Sequence, residues 1–525
     1  MSLNAACIPL NAAATNHQAA AIIAGDTVLS YQMLKSQIIT CAAVLQEKGI
    51  GYGDHVAIML PNVPQFTINY FAVLYLGARV VPLNVLFVAD ELAYHLKDSN
   101  AKALVVWDAF LDRATPAAKT AGCGIIFACS PPDSEITLGK DVVDQGTSML
   151  QMENDTALSA MQPYATNADD TAVILYTSGT TGRPKGAELT HFNIYDNARY
   201  VSERLMRSKY EQLILFSPGD VALAALPLFH SFGQTVIQNG FLMSGAAIAL
   251  LPRFTPGDAA TLIKQHKITF FAGVPSMYIA LLNDRSITAE SLSSLKYAVS
   301  GGAPLPVEVL ARFKQQLGID ILEGYGLSET SPVACFNNFI QGCKPGTVGP
   351  AIDLCEVRIV DDAGQELPNG EPGEIVIKGT NVMKGYYQKP AETREVLSNG
   401  WFHTGDIGIC DEAGYISIVD RKKEMIIRGG FNVYPREVEE ALYAHPDIVE
   451  VAVIGVPDAL HGEEVMAIYV LKDQVVLSHA ELETFSRQKL AAYKVPRKSE
   501  AVASLPKGAT GKILKRVLKE KYAPL

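Results

Sequence analysis

The chain has 525 residues, 48 % of them apolar and 19 % charged, with a formal net charge of −11 at pH 7. This length exceeds what one hydrophobic core organises, so two or more domains are expected, and the composition is that of a globular protein. The acidic balance argues against a general nucleic-acid binder, and the apolar stretch 70–88 is broken by Gly77, Arg79, Pro82 and Asn84 before it could span a membrane.

The N-terminus lacks a charged region followed by an apolar core, so no secretory signal is read there. The eight cysteines are scattered, with no Cys-x-x-Cys, and are expected as reduced thiols of a cytoplasmic protein. Residues 1–170 alternate helical and strand-like patterns (helix 31–48, strand 55–60, helix 64–77, strand 102–107), which predicts an α/β layer. An apolar strand follows at 172–175, and Thr190 caps a helix running to about residue 205. Segments 220–226, 232–244, 246–251, 258–266, 268–272 and 308–317 alternate again. Two doubly wound halves sharing sites at their carboxyl-end loops fit this order. From about residue 346 short strands with Gly, Asp and Pro turns predict a small β-rich subdomain (356–361, 373–379, 415–419). Residues 420–525 read as a separate α+β unit. It has a helix from Pro435, strands 449–456 and 463–471, and a helix opened by the capping box Ser478-x-x-Glu481.

Chemistry is concentrated in a few strings. Tyr-Thr-Ser-Gly-Thr-Thr-Gly-Arg-Pro-Lys-Gly (176–186) packs Thr177, Ser178, Gly179, Thr180, Thr181, Gly182 and Lys185 directly after a strand. Glycines admit close backbone approach, hydroxyls and N–H groups bind phosphate oxygens, and the lysine adds a mobile charge. This is a polyphosphate loop without the Gly-Lys-Ser/Thr of the common nucleotidases. Leu-Pro-Leu-Phe-His-Ser-Phe-Gly (226–233) sets His230 among apolar neighbours. Val-Ser-Gly-Gly-Ala-Pro-Leu (299–305) is a small-residue turn. In Glu-Gly-Tyr-Gly-Leu-Ser-Glu-Thr (323–330), Tyr325 between two glycines offers an exposed ring for stacking on a base. Glu329 offers the hard oxygens that Mg²⁺ prefers. Trp-Phe-His-Thr-Gly-Asp (401–406) sets Asp406 after a Thr-Gly turn. From Lys507 to Lys521 six cations face one anion, a local use for polyanionic ligands in an acidic chain.

These strings, in this order from 176 to 513, resemble the adenylate-forming superfamily of acyl- and aryl-CoA ligases, luciferases and peptide-synthetase adenylation domains. The resemblance implies an α/β fold. Its large N-terminal domain (1–419) has two doubly wound α/β subdomains plus a small β-rich subdomain, and a smaller, mobile α+β C-terminal domain (420–525) follows. It implies ATP and AMP binding by the 176–186 loop, by Gly301, Gly302, Ala303 and Pro304 against adenine, by Glu323, Gly324, Tyr325, Gly326 and Ser328, by Asp406 at the ribose, and by Arg421 and Asn432. Ser328 departs from the usual Thr but keeps the hydroxyl. It further implies Lys512, Glu329 and His230 as catalytic groups, with His230 beside the carboxylate, and Thr180 and Glu329 at Mg²⁺. The acyl group is assigned to His230, Ser231, Phe232, Gly233, Gly302, Gly324 and Val333, and the CoA path to Gly429, Gly430 and Phe431. Asp420 is the expected hinge, because one rigid orientation does not present both Lys512 and the glycine pair.

The expected reaction is attack of a carboxylate on ATP to give an acyl-adenylate, then displacement of AMP by the thiol of CoA. The chain ends shortly after Lys512, which favours free CoA over a fused carrier. Loops 230–243, 271–277 and 330–336 carry no lysine or arginine, so an apolar acid is expected, and the motif texture is nearest to bacterial medium- or long-chain fatty-acid ligases. An aryl or cinnamoyl acid and a ligase loading a separate carrier protein stay open, as do monomer against homodimer and peripheral membrane contact. A luciferase-like oxygenase and a non-catalytic nucleotide sensor are the remaining alternatives.

Overall fold

A computed structural model describes residues 2–130, 142–144, 161–177, 183–205, 216–338 and 342–523. It has a large N-terminal domain and a smaller C-terminal one. The large domain is built on two eight-stranded sheets. In the first, the strands His55–Met59, Arg79–Pro82, Ala103–Trp107, Ile125–Cys129, Val142–Asp144 and Thr171–Thr177 run parallel, and Lys185–Thr190 and Gly385–Tyr386 close one edge antiparallel. In the second, Ala20–Ala24, Ala247–Leu250, Val221–Ala224, Phe270–Gly273, Tyr297–Ser300 and Ile321–Gly326 are parallel, flanked by the antiparallel Thr27–Ser30 and Val333–Phe336. The parallel strands read as apolar runs because helices cover both faces. One continuous core spans the two sheets, so they behave as one packed body.

The first 170 residues do not form one layer as the alternation suggests. Ile22 pairs with Ile248, so the N-terminal hairpin completes the second sheet across the molecule. The local signals were accurate where they were chemical. Thr190 caps Asn193 at 3.1 Å, and Ser478 and Glu481 exchange the two bonds of a capping box. Segment 232–244 is a wide-turned π-helix, Gly233–Asn239, continued by the α-helix Gly240–Met243. Gly233 is obligatory there, since a Cβ would lie 2.3 Å from the Pro227 carbonyl oxygen.

A third, antiparallel sheet joins Cys355–Val360, Gly373–Gly379, Trp401–Cys410, Leu397–Ser398 and Ile416–Arg421. Its last strand continues two residues past the expected boundary at 419, pairing Asp420 with Ile407 and Arg421 with Asp406. A tight turn follows, in which the Glu424 and Met425 N–H groups donate to the Arg421 carbonyl. The small domain has its own five-stranded sheet, Phe431–Val433, Ile426–Arg428, Gly462–Leu471, Ile448–Asp458 and Lys498–Ala501, with a core on each face. An apolar seam brings the two domains together: Ile279, Leu282 and Val309 on one side face Tyr443, Ile448 and Val449 on the other. None of the eight cysteines forms a disulfide, and no helix among the described residues is long and apolar enough to cross a membrane.

Candidate active site

Both large sheets bring the carboxyl ends of parallel strands to one cleft: Thr177 from the first, Ser300 and Gly326 from the second. In open α/β folds that is where ligands sit. Glu329 lies in the 3₁₀ turn Ser328–Thr330 just beyond Gly326 and is 7 % exposed. Burial raises its carboxyl above the ordinary value, while hydrogen bonds from Tyr386 and Thr177 and the Arg421 cation oppose that. The Tyr386 hydroxyl donates to Glu329 Oε1 at 2.9 Å, and Lys185 Nζ lies 5.2 Å from the centre of the Tyr386 ring.

Asp406 anchors the second cluster. Its Oδ2 accepts the Tyr325 hydroxyl at 2.6 Å and its Oδ1 the Arg421 Nε at 3.2 Å. The expected Thr-Gly turn is a bulge inside the long strand Trp401–Cys410. Glu374 pairs with Ile407 and Val376 with His403, so extra residues are extruded at Thr404–Asp406, with Gly405 at φ +70°. Thr404 Oγ1 donates to the Ile375 carbonyl and fixes the bulge.

The C-terminal segment supplies the third element. A turn at 508–511, closed by Gly508 N–H to the Lys512 carbonyl, docks on the large domain where Ser276 Oγ donates to the Gly511 carbonyl at 3.1 Å. Lys512 keeps contact with water yet stands in a cleft walled by protein. Burial, then the Arg421 cation, lowers its pKa, with Glu424 and Asp406 opposing. Lys512 also lies close enough to His230 to add to the burial that pushes that imidazole down to about 4, so His230 is neutral near pH 7. Lys515, by contrast, is held charged against burial by Glu439 at 2.7 Å and Glu424 at 3.6 Å.

The structure thus brings together Thr177, Lys185, His230, Tyr325, Glu329, Asp406, Arg421 and Lys512. Ser178, Gly179, Thr180, Thr181 and Gly182 lie outside the described residues. Several expectations change. Tyr325 is half-buried against the β-rich subdomain rather than an exposed ring, with its hydroxyl committed to Asp406. Gly324 and Gly326 are needed for strand packing: a Cβ would meet Phe336 Cδ2 at 2.8 Å and the Pro332 carbonyl oxygen at 1.6 Å. Gly301 makes room for Phe232, whose ring would lie 3.2 Å from an added Cβ, while Gly302, Ala303 and Pro304 continue the turn. The Glu323 carboxylate is buried under that turn, accepting the Leu305 N–H at 3.2 Å. Val333 is buried on its strand, its carbonyl accepting the Asn197 and Asn381 amides. Ser328 is half-buried beside Glu329, and Ser231 is buried next to Phe232.

The glycine pair is a hairpin turn. Arg428 pairs with Phe431, and Gly429 and Gly430 have φ of +57° and +85°, as a two-residue type I′ turn requires. Its neighbours belong to the small domain: Gly429 N–H donates to the His461 carbonyl, Arg428 pairs with Glu464, and Phe431 stacks on Tyr493. Asn432 is exposed. This arrangement therefore turns Lys512 inward and leaves Gly429, Gly430, Phe431 and Asn432 on an outward hairpin rather than beside the nucleotide groups. At the hinge, Asp420 is buried and accepts the N–H groups of Arg421 at 2.7 Å and Arg436 at 2.9 Å.

A sequence model of the AMP-binding enzyme matches residues 10–387, and one of the AMP-binding enzyme C-terminal domain matches residues 437–512. A long-chain-fatty-acid–CoA ligase of Bacillus subtilis (strain 168) is 40 % identical over 511 residues, covering 94 % of this chain and 90 % of its own. A feruloyl-CoA synthase of Amycolatopsis sp is 35 % identical over 515 residues, 98 % of each. Among solved structures, ATP-bound MatB from Rhodopseudomonas palustris aligns with a TM-score of 0.88 at 33 % identity, over 100 % of this chain and 99 % of that one. The apo structure of the same relative, at 32 % identity over 100 % and 99 %, gives 0.78. The chain belongs to the AMP-binding enzyme family, the adenylate-forming superfamily, in its acyl-CoA ligase branch. Of the two MatB structures, the ATP-bound one is the nearer match to the arrangement that turns Lys512 into the cleft.

Proposed function

We propose that this enzyme activates a medium- or long-chain fatty acid with ATP through an acyl-adenylate and transfers the acyl group to CoA, releasing pyrophosphate and AMP. The observation that carries the reading is the convergence of Glu329, Asp406, Arg421 and Lys512 from four separate segments on one cleft. The acid's carboxylate oxygen forms a bond to the α-phosphorus of ATP as the bond to pyrophosphate breaks. Lys512 and Arg421 meet the developing negative charge, Lys185 and the 178–182 loop hold the phosphates, and Asp406 takes the ribose hydroxyls. Neutral His230 lies against the carboxylate without a competing charge. In the second step the CoA thiolate attacks the acyl carbon and AMP leaves.

The Glu329 carboxylate fits a Mg²⁺ ion: it is a hard-oxygen donor whose charged form is penalised by burial and gains from a cation. Glu329, with Thr180 by family resemblance, would hold the ion, which neutralises phosphate charge when bound. We place the domain division at 419/420 and the motion in the turn after Arg421. The small domain turns there so that the Gly429–Phe431 hairpin replaces Lys512 for thioester formation. A cytoplasmic location agrees with this reading. The 35 % identity to a feruloyl-CoA synthase supports an aryl acid as the second reading.

Pyrophosphate release across hexanoate to palmitate, benzoates, cinnamates and dicarboxylates tests it. Each methylene adds about 0.8 kcal/mol until the pocket is full, so aliphatic acids should exceed dicarboxylates by more than about tenfold. A benzoate or cinnamate ahead of every aliphatic acid would move the enzyme to the aryl reading.

A further inference from the structure

The π-helix Gly233–Asn239 begins beside His230 and runs into the junction of the two large sheets, where Thr67 Oγ1 donates to Gln238 Oε1 at 2.8 Å. That contact shows that a glutamine on this helix can find a partner across the junction. Gln234, one turn earlier, has none. It is completely buried, and neither its amide oxygen nor its amide nitrogen has a protein partner. Two hydroxyls beside the same turn share this condition. Ser231 Oγ and Ser300 Oγ are buried and unpaired, and the two segments touch where Gly301 packs on Phe232. Leaving a buried amide and two hydroxyls unpaired is costly, and leucine or methionine would fill the Gln234 site without that cost.

The position of this group relative to the chemistry is set by one backbone bond: the Gln234 N–H donates to the His230 carbonyl at 3.0 Å. Gln234 therefore stands one helical turn, about 5–6 Å, beyond His230. An amide offers two donors and an acceptor without charge, which suits a hydroxyl, ether or carbonyl and not a second carboxylate.

Resting on the ligase reading above, we infer that Gln234, supported by Ser231 and Ser300, is a specificity-determining residue that hydrogen-bonds a neutral polar substituent of the acid. That substituent sits roughly the width of a benzene ring from the carboxyl group. Among the acids of that reading, aliphatic or aryl, the class this residue favours carries a hydroxyl or ether at that distance.

The test uses two matched pairs of non-hydrolysable acyl-sulfamoyl adenosines, benzoyl with 4-hydroxybenzoyl and pentanoyl with 5-hydroxypentanoyl, bound to the full-length protein by calorimetry. The four parent acids are assayed in parallel for pyrophosphate release. The hydroxylated member should bind at least about tenfold tighter in one pair, and which pair responds distinguishes an aryl from an aliphatic source. Gln234→Leu should collapse that ratio to near one, and removing an unpaired buried amide should not lower the melting temperature. Gln234→Met serves if the leucine variant does not fold. No hydroxyl preference in either pair, or a preference that survives both substitutions, would overturn the inference. Loss of pyrophosphate release with all four acids would instead count against the ligase reading, since the binding comparison does not depend on turnover.

Discussion

Tyr386 reaches Glu329 from a strand at the far edge of the first sheet, donating a 2.9 Å hydrogen bond to Oε1 while its ring faces Lys185. One side chain thereby meets both the buried carboxylate and the Lys185 ammonium, proposed above to hold the phosphates. A hydrogen bond to a charged group contributes about 1.5–3 kcal/mol. Tyr386→Phe, which keeps the ring, should reduce acid-dependent pyrophosphate release by about tenfold or more and raise the Mg²⁺ concentration needed for half-maximal rate. Tyr386→Leu should cost more, because the ring face is lost as well. An unchanged Mg²⁺ titration in the phenylalanine variant, with an unchanged melting temperature, would remove Tyr386 from the site.

Lys512→Ala should lose adenylation by roughly 100–1,000-fold, the usual effect of deleting one preorganised charge. Thioester formation from supplied acyl-AMP and CoA should persist. Burial and the Arg421 cation lower the Lys512 pKa, so the proton is lost at lower pH than from an ordinary lysine. Adenylation by the parent should accordingly fall on an alkaline limb that lies below the ordinary lysine range, and Lys512→Arg should move that limb upward. A flat alkaline profile in single-turnover adenylation would contradict the assignment.

Glu323 carries a stability prediction. Burial raises its carboxyl from 4.5 to about 7, opposed by the Arg436 cation and the Leu305 N–H and aided by Glu440. The folded state therefore holds a proton that the unfolded state releases between those values. Stability falls as pH rises from 4.5 to 7, and the whole cost, on the order of 3 kcal/mol, is present above 7. Glu323→Gln should raise the melting temperature at pH 8 and change it little at pH 4.5. Equal effects at both values would mean that the carboxyl titrates normally.

The proposed alternation of the small domain can be tested by a cross-link. A Cβ on Gly511 would lie 2.7 Å from Ser276 Oγ, close to the reach of a disulfide. In a Ser276→Cys, Gly511→Cys variant that also carries Cys343→Ser to remove an exposed thiol, oxidation should leave adenylation within about tenfold of the reduced form. Thioester formation should fall by at least a hundredfold and return with reductant. Comparing one variant in two redox states cancels any strain at residue 511. Equal losses in both half-reactions would refute the alternation.

What could be read in the sequence was what is local. The caps at Thr190 and Ser478 are decided within three residues, and the strand and helix periods survive burial. The nucleotide strings were legible because their residues are neighbours in the chain. Tyr386 was not, since its partner is 57 residues away and a Gly-Tyr-Tyr string has no chemical signature. The Asp406 bulge needed the partner strand to reveal itself, because Thr-Gly-Asp alone is indistinguishable from a turn. Phe336 and the Pro332 carbonyl demand glycine at 324 and 326, a packing reason that the string Glu-Gly-Tyr-Gly does not display. The N-terminal hairpin crossed to the second sheet through pairings that no local pattern encodes.

Besides the seam of Ile279, Leu282 and Val309 against Tyr443, Ile448 and Val449, the small domain carries exposed apolar side chains around its Gly429–Gly430 hairpin. There Ile427, Phe431 and Leu460 stand bare, 52 %, 57 % and 83 % exposed. The small domain is two-faced, like a coin with one side pressed to the table. Turning it over would wet the first face, so the second must find a dry resting place for the exchange to be near even. In the alternation proposed above, apolar area wetted on one face is offset by what the other face buries, and the molecules that bind the cleft need supply only the remainder that tips the coin.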